Sequence, residues 1–398
     1  MRYFLLSLAI LCAALPAAAQ DDPPDPFKTA RLRFGPVALS PTIGVSNFGI
    51  DTNVFNEWED PKQDFTATVT PGTELWFRAG RTRLTARGNL GYVHFQQYGT
   101  ERALNTDLSA RYEVNLLHVR PYAVLSYLNT RERPGFEIDA RARRFEHSYG
   151  IGADVPLSRR TTMGVVALRQ RTSYAADAVF LGTYLRDVFD RQEDTLRASV
   201  RYKLTPLTTL VVQGEAQRAR FTYTPVRNSD TVRVMPGVEF NAFALIQGSA
   251  YVGLRKLDML GPQMPSYKGP VASVDLGYTL LGATRLSVQA TRDVFYSFEI
   301  ARPYYVLTGA SGTLTQRIAG PFDAQARAGV QHLDYRQAVA TVQATPPDIV
   351  RFYGGGVGYH FGRSARLGFN VDSYQRHSTV SQRDYKGVRA GSTVTYGF

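Results

Sequence analysis

Apolar and polar residues alternate with a period of two along most of this sequence. Between Leu104 and Leu116 the apolar residues occupy even positions, and polar residues occupy every odd position. The segment TLRASVRYKL, residues 195–204, repeats the pattern. Because successive side chains of a strand point to opposite faces, the alternation predicts β-strands with one apolar and one polar face.

Eighteen such segments follow one another, and sixteen is the alternative count. Each is long enough to cross a bilayer as a strand tilted by ~45°. The predicted fold class is therefore all-β. The predicted spans are 36–49, 64–79, 82–98, 103–116, 119–131, 143–156, 161–174, 192–204, 208–223, 231–241, 245–257, 268–281, 284–298, 304–318, 322–336, 349–361, 366–377 and 385–398.

The connections between these segments alternate between short and long. GRT at Gly80 and LSRR at Leu157 are tight, whereas residues 47–63 and 175–192 form the longest connections. Short periplasmic turns and longer extracellular loops are typical of bacterial outer-membrane barrels. The pattern predicts a transmembrane antiparallel up-and-down β-barrel with periplasmic termini. It is closed, because an unpaired strand edge in hydrocarbon leaves backbone groups unsatisfied.

The first residues have the features of a secretory signal peptide. Arg2 precedes an apolar run over residues 3–15, and Ala17, Ala18 and Ala19 form a small-residue cleavage site. The run is too short to span a bilayer as a helix. The predicted organisation is a signal peptide at 1–19, a short Pro-rich periplasmic arm at 20–35 and an outer-membrane barrel at 36–398.

The last residues combine a strand pattern with an aromatic end. Val394, Tyr396 and Phe398 fall on one face, which we expect to point toward lipid. This ending resembles the C-terminal signal that the barrel-assembly machinery recognises in outer-membrane proteins. The resemblance implies that machinery as a partner, beside outer-membrane lipid and lipopolysaccharide.

The polar faces carry charges of both signs, with a cationic excess that matches the net charge of +12. A barrel of about eighteen strands is too wide for side chains alone to fill, so these faces are predicted to line an aqueous lumen. Arginine there favours anionic or hydroxyl-rich solutes, and the alternative is that the charges only solvate and brace the interior. The predicted lumen-lining residues are Arg83, Arg87, Asp107, Arg111, Glu113, Arg197, Arg201, Lys203, Glu215, Asp275, Arg327, Arg366, Asp372 and Arg389.

The sequence contains no pattern that predicts catalysis. Its six histidines are scattered, and none lies in a recognisable arrangement with a nucleophile or a carboxylate. Neither metal-ligand spacing nor a nucleotide motif is present, so no catalytic residue, metal or cofactor is predicted. Because the basic residues are spread over most strands without a clustered patch, nucleic acid is not a predicted partner.

The stretch RFGPVALSPTIGVSNFGIDTNVFNE, residues 33–57, carries a more specific signal. Its Gly-Pro, its apolar strand and the loop residues Asp51, Asn53, Val54 and Phe55 resemble the start of the outer-membrane family called putative β-barrel porin 2. That resemblance implies a passive conduit for secreted polysaccharide, with a periplasmic polysaccharide-export protein as a partner. A general or anion-preferring diffusion porin for small hydrophilic solutes is the alternative, and a structural or adhesive surface barrel is a weaker one.

Overall fold

The computed structural model describes residue 27 and residues 30–241, 244–338, 346–362 and 364–397. Eighteen antiparallel strands form one closed barrel, as the alternation predicts. Strands β1 to β18, in chain order, are Val37–Asp51, Asp64–Ala79, Thr82–Phe95, Ala103–Val114, Arg120–Glu132, Ala142–Pro156, Thr161–Tyr174, Arg191–Lys203, Thr208–Phe221, Ser229–Phe240, Ile246–Met259, Tyr267–Leu280, Thr284–Tyr296, Tyr304–Ala319, Phe322–Arg336, Asp348–Phe361, Ala365–His377 and Tyr385–Tyr396.

The barrel closes where the first strand pairs with the last. Ile43 lies opposite Tyr396 and Asp51 lies opposite Arg389, with a register shift between Val45 and Phe48. Every other barrel strand pairs with its neighbours in sequence. Closure of this kind leaves no strand edge, which is the condition that the hydrocarbon of a bilayer imposes.

The observed strand boundaries lie within a few residues of the predicted spans. The segment predicted over 82–98 ends at Phe95, because the next residues turn toward the Asp64 side chain. Its oxygens accept hydrogen bonds from the backbone N–H groups of Gln97 and Tyr98 at 3.0 to 3.2 Å. The Asp64 carboxylate therefore accepts hydrogen bonds from N–H groups that would otherwise bond to a neighbouring strand.

The amino-terminal arm contains one structured segment. A short strand, Leu32–Phe34, pairs with Val37–Leu39 of β1 through a turn in which Gly35 has a φ of +57°. The predicted signal peptide lies outside the described residues, and so does Phe398.

One end of the barrel carries tight turns and the other carries longer loops. At the turn end, Gly80 and Gly320 have φ values of +56° and +53°, which a residue without a side chain adopts most readily. At the loop end, several segments pack over the mouth. They include a two-stranded hairpin, Val179–Phe180 with Thr183–Tyr184, and the helix α1, Leu185–Phe189. No helix in the described ranges has the length and hydropathy of a membrane span.

Cross-strand contacts identify the interior face. Arg233 on β10 lies 3.5 Å from Asp293 on β13, across two intervening strands. Side chains that far apart around the wall meet on its concave side and diverge on its convex side. The alternate positions along the strands point to the other side of the wall and form the outer, lipid-facing surface. Among them, Ile151 and Leu254 are 72% and 65% exposed. Val394 lies on that outer surface, in register with Val45 and Leu367.

Candidate permeation pathway

A chain of ion pairs covers the interior face from β8 to β13. Arg197 Nη2 lies 2.7 Å from one oxygen of Glu215, and Arg233 Nε lies 2.9 Å from the other. Asp293 continues the chain, because Arg255 Nη1 lies 2.7 Å from its Oδ1 atom and Arg233 also approaches it. Three arginines thus share two carboxylates, which leaves an excess positive charge on this part of the wall.

The remaining wall repeats the arrangement in smaller groups. Arg111 lies 3.3 Å from both Glu113 and Asp154, and its guanidinium stacks 3.6 Å from the centroid of the Tyr122 ring. These pairs join neighbouring strands on the wet face of the barrel. They both brace the wall and line its aqueous space.

The loop formed by residues 133–141, called here the crossing loop, leaves the wall between β5 and β6 and contacts the opposite wall. Glu137 is 1% exposed. Its Oε1 atom accepts a hydrogen bond from Ser297 Oγ at 2.6 Å, and its Oε2 atom accepts one from the Phe298 N–H at 3.1 Å. Ser297 follows β13, which is eight strands from β5 in an eighteen-stranded ring. Burial raises the pKa of Glu137 to about 7, against the lowering effect of these hydrogen bonds.

Two buried arginines attach the crossing loop to a third part of the wall. Arg376 on β17 donates to the carbonyl oxygens of Phe136 and Glu137 at 3.0 and 3.1 Å, and to Asp139 Oδ2 at 2.8 Å. Arg383 donates to the same Glu137 carbonyl at 3.3 Å. Both guanidiniums are almost fully buried. Burying a charged group is costly unless it is paired, and these contacts with Phe136, Glu137 and Asp139 attach the crossing loop to β17 and to the segment that follows it.

The loop between β1 and β2 holds the crossing loop from the other side. Asn56 Nδ2 donates to Asp139 Oδ1 at 3.0 Å, and Arg133 Nη2 donates to the Val54 carbonyl at 2.7 Å. Val54 is fully buried in a cluster with Phe95. The crossing loop therefore has contacts on three sides of the mouth.

The loop between β7 and β8 also packs inward. Its helix α1 buries Leu185 and Val188 in a cluster with Ile138 of the crossing loop, and the rings of Phe180 and Phe298 meet edge to face at 4.9 Å. This apolar cluster covers part of the mouth.

Residues 25–398 match the family described as Putative beta-barrel porin 2. The chain belongs to this family. No curated protein sequence matches it. As a member of a porin family, the protein is an integral outer-membrane barrel, with its turn end in the periplasm and its loop end outside the cell.

Several solved structures align with nearly the whole porin at low identity. One is a BenF-like porin from Pseudomonas fluorescens Pf-5, which is 10% identical; the alignment covers 91% of this chain and 98% of that chain, with a TM-score of 0.49. Another is the outer-membrane protein OpdK from Pseudomonas aeruginosa, which is 10% identical; the alignment covers 90% of this chain and 98% of that chain, with a TM-score of 0.49. A third is OccK2 (OpdF) from Pseudomonas aeruginosa in complex with glucuronate, which is 10% identical; the alignment covers 90% of this chain and 97% of that chain, with a TM-score of 0.49. At these TM-scores the family assignment depends on the sequence match alone.

Two of the cavities beside the crossing loop of the porin adjoin the barrel wall. One, of about 380 Å³, lies against Glu137 and the ion-pair chain around Arg233. The other, of about 310 Å³, is lined by three arginines and two carboxylates, namely Arg133, Arg141, Arg389, Asp51 and Glu132. The crossing loop thus divides the space within the mouth into compartments with different electrostatic character.

The smaller cavity contains two arginines that lack carboxylate partners. Arg133 hydrogen-bonds only to carbonyl oxygens, and Arg141 stacks 4.5 Å from the centroid of the Phe95 ring. No described carboxylate forms an ion pair with either residue. Burial, and then the charge of Arg133, lower the pKa of Arg141 to about 10, so the guanidinium remains cationic at neutral pH. An unpaired cation that faces water is a ready site for a passing anion.

All fourteen predicted lumen residues occupy strand positions that face the interior of the barrel. Most of them form an ion pair with another residue. Arg366 lies 2.6 Å from Asp323, and Arg389 lies 2.7 Å from Asp51. Arg201 approaches Glu239 at 3.7 Å. Further pairs join Arg83 with Glu113, Arg87 with Glu74 and Arg327 with Asp372. Asp107, Lys203 and Asp275 form no ion pair with the described residues. That these side chains line the conducting path stays a prediction.

The family-like motif holds the barrel seam together. The Asp51 carboxylate accepts hydrogen bonds from the Asn53 N–H, from the Tyr374 hydroxyl and from Arg389. Asn53 Nδ2 donates to the carbonyls of Glu57 and Lys386 at 2.8 and 3.0 Å. The motif therefore links the first loop to the last two strands.

Sequence reasoning missed the crossing loop and its anchors. Residues 47–63 and 175–192 form the longest connections, and the sequence pattern assigned the constriction to no loop, whereas the shorter loop 133–141 reaches across the mouth. The acidic residue Glu137 between Phe136 and Ile138 was the available signal, because a carboxylate flanked by apolar residues indicates a buried acceptor. No group of three or more His, Cys, Asp or Glu residues in the described ranges is arranged to hold a metal ion.

Proposed function

We propose that this porin is a passive diffusion channel for small hydrophilic solutes, with a preference for anions. The observation that carries the proposal is the pair of arginines, Arg133 and Arg141, at the cavity beside the crossing loop. An anion that enters this cavity replaces part of its hydration with guanidinium donors, whereas a cation is repelled. The excess positive charge on the ion-pair chain supports the same preference.

The dimensions favour a small solute. The cavity of about 310 Å³ corresponds to about ten water molecules at ~30 Å³ each. The crossing loop that bounds it is attached at Ser297, at Arg376 and at Val54. A solute of a few heavy atoms passes beside such a loop without displacing it.

Export of a polysaccharide, which the family resemblance implies, is the second candidate. A polymer chain would have to displace the crossing loop and break the contacts of Glu137 and Arg376. No contact among the described residues favours that rearrangement. We therefore place polysaccharide export, and a periplasmic export protein as its partner, behind solute diffusion.

The experiment is a reversal-potential measurement on the purified porin in a planar bilayer with a KCl gradient. Wild type is expected to prefer chloride, and the double variant Arg133→Gln/Arg141→Gln is expected to lose that preference. Arg159→Gln/Arg160→Gln is the matched control, because it removes two charges from an exposed periplasmic turn. Equal reversal potentials for wild type and the Arg133/Arg141 variant would overturn the proposal.

A second measurement separates the two candidates. Deletion of the gene is expected to leave released polysaccharide unchanged and to slow the uptake of small organic anions by intact cells. Loss of polymer from the medium, with accumulation in the periplasm, would instead establish export.

A further inference from the structure

The outer surface of the barrel has a sharp polar boundary on strands β7 to β10. Arg169, Asp194, Arg218 and Asp230 stand in register across these four strands, one on each. All four have the outward parity. The row lies one to five residues from the extracellular ends of its strands. Charged residues on the lipid-facing side are tolerated near a membrane interface and not at the midplane, so this row marks the outer-leaflet interface.

A groove lies in the wall directly below the charged row. The outward residues one step nearer the periplasm are Ala167, Leu196, Ala216 and Val232, which form a second registered row. The two alanines leave a depression between larger neighbours. The groove has a volume of about 1030 Å³, and its lining extends to Leu125, Tyr149 and Ile151. A concave apolar strip on a lipid-facing wall has the shape and polarity to hold an acyl chain.

Arg171 and Arg220 extend the charged row, which then holds four arginines against the two aspartates Asp194 and Asp230. Arg169 is paired with Asp194 at 2.5 Å, and Arg220, two residues beyond Arg218, is paired with Asp230 at 2.8 Å. Arg218 itself is exposed and forms no ion pair with any residue in the described ranges. Arg171, two residues beyond Arg169, is likewise exposed and unpaired among them.

The arginines form two couples at the top of the groove. Arg218 and Arg220 lie on the outer face of β9, about 7 Å apart along the strand. Arg169 and Arg171 form the equivalent couple on β7, two strand spacings or about 10 Å away. Guanidinium groups bind phosphate oxygens through two parallel hydrogen bonds, which makes each couple a suitable phosphate site.

We propose that this groove is a specific binding site for the phosphorylated glycolipid of the outer leaflet, lipopolysaccharide. Its lipid A anchor places one acyl chain over Ala167 and Ala216, and its phosphates lie against the two arginine couples. Charge complementarity selects this occupant, because the outward row has a cationic excess beside an apolar strip. The site is on the opposite face of the wall from the conducting path and does not depend on the proposed solute preference.

The test is a binding titration of the porin, refolded in a neutral detergent, with fluorescent lipid A. The double variant Arg218→Gln/Arg220→Gln is expected to weaken binding at least about tenfold, as the loss of charge-assisted phosphate contacts predicts. Arg351→Gln/Lys386→Gln is the matched control. It removes two exposed outward cations at the extracellular end of the opposite wall, and it is expected to bind like wild type.

A second variant tests the groove without a change of charge. Ala167→Leu/Ala216→Leu fills the depression and is expected to weaken lipid A binding while the barrel folds normally, since both positions face lipid. Migration of the folded barrel before heating, on a denaturing gel, verifies folding of every variant.

Three results would overturn the proposal. The first is equal lipid A affinity for wild type and the Arg218/Arg220 variant. The second is equal affinity of wild type for lipid A and for dephosphorylated lipid A or phosphatidylglycerol, because the site would then not recognise a phosphorylated glycolipid. The third is cross-linking through this face to a second copy of the chain in lipid A-containing membranes.

Discussion

Glu137 and Ser297 join opposite walls of the barrel through a hydrogen bond of 2.6 Å, although 160 residues separate them in the chain. The carboxylate comes from the crossing loop and the hydroxyl from the end of a strand eight positions around the ring. A wide barrel without such a bridge would have an open mouth. This one has compartments whose size and charge are set by a few buried side chains.

The acidity of Glu137 predicts a conductance that depends on pH. Its pKa is raised to about 7 in the packed loop, from an ordinary value of 4.5, so the packed loop binds more protons than a released one. The packed arrangement is therefore favoured at low pH, and this advantage is lost as pH rises from about 4.5 through about 7. The facing charged groups are Arg383 and Arg227. Burial lowers the pKa of Arg227 to about 10, so that guanidinium stays cationic over this range. Single-channel conductance is expected to rise between pH 5 and pH 8.

The variant Glu137→Gln tests this relationship directly. A neutral amide imitates the protonated carboxyl group, so the variant is expected to show the low-pH conductance at every pH. Asp177→Asn, in another extracellular loop, is the control and should retain the wild-type profile. A pH profile shared by Glu137→Gln and wild type would assign the titration to a different group.

Removal of the crossing loop predicts a wider channel. Deletion of residues 134–140 takes away the bridge to Ser297, and the conductance is expected to rise about twofold or more, because the lumen of an eighteen-stranded barrel is otherwise aqueous. Deletion of the exposed residues 58–60, which lie in a neighbouring loop, should leave conductance unchanged. Planar-bilayer recordings measure both, and an unchanged conductance in the first variant would show that the loop does not restrict flow.

The charges on β8 predict a selectivity change. In the triple variant Arg197→Gln/Arg201→Gln/Lys203→Gln, Glu215 keeps only Arg233 as an ion-pair partner. Glu239 loses Arg201 and keeps the hydrogen bond from the Tyr251 hydroxyl. The interior therefore becomes more negative, and the reversal potential in a salt gradient should shift toward cations. A potential identical to that of wild type would place these side chains away from the conducting path.

The barrel seam predicts a stability effect. Asp51→Ala removes the shared acceptor of Arg389, Tyr374 and the Asn53 N–H. We expect a loss of about 3 kcal/mol in the free energy of unfolding, at the low end for a broken buried pair because Arg389 keeps some solvent contact. Urea unfolding in lipid vesicles measures it. Asp60→Ala, which breaks an exposed pair with Lys62, should have a much smaller effect, because surface ion pairs contribute little. Equal midpoints for the two variants would contradict a structural role for the seam.

The alternation of side chains by itself determined the class of the fold, the number of strands and the face on which each residue lies. These properties follow from local stereochemistry, because a strand directs successive side chains to opposite sides whatever its neighbours are. The pairing of Arg197 with Glu215 also follows once two adjacent strands are in register. The orientation in the membrane could be read from the lengths of the connections.

Only the tertiary structure decided which loop crosses the mouth and which cations stay unpaired. The sequence pattern assigned the constriction to no loop. Residues 133–141 make the bridge, since the Glu137 carboxylate meets two donors on the far wall, the Ser297 hydroxyl and the Phe298 N–H. That no described carboxylate forms an ion pair with Arg141 likewise depends on which side chains from distant strands meet inside the closed ring. Closure brings residues together that are hundreds of positions apart, and no local pattern in the chain records those distances.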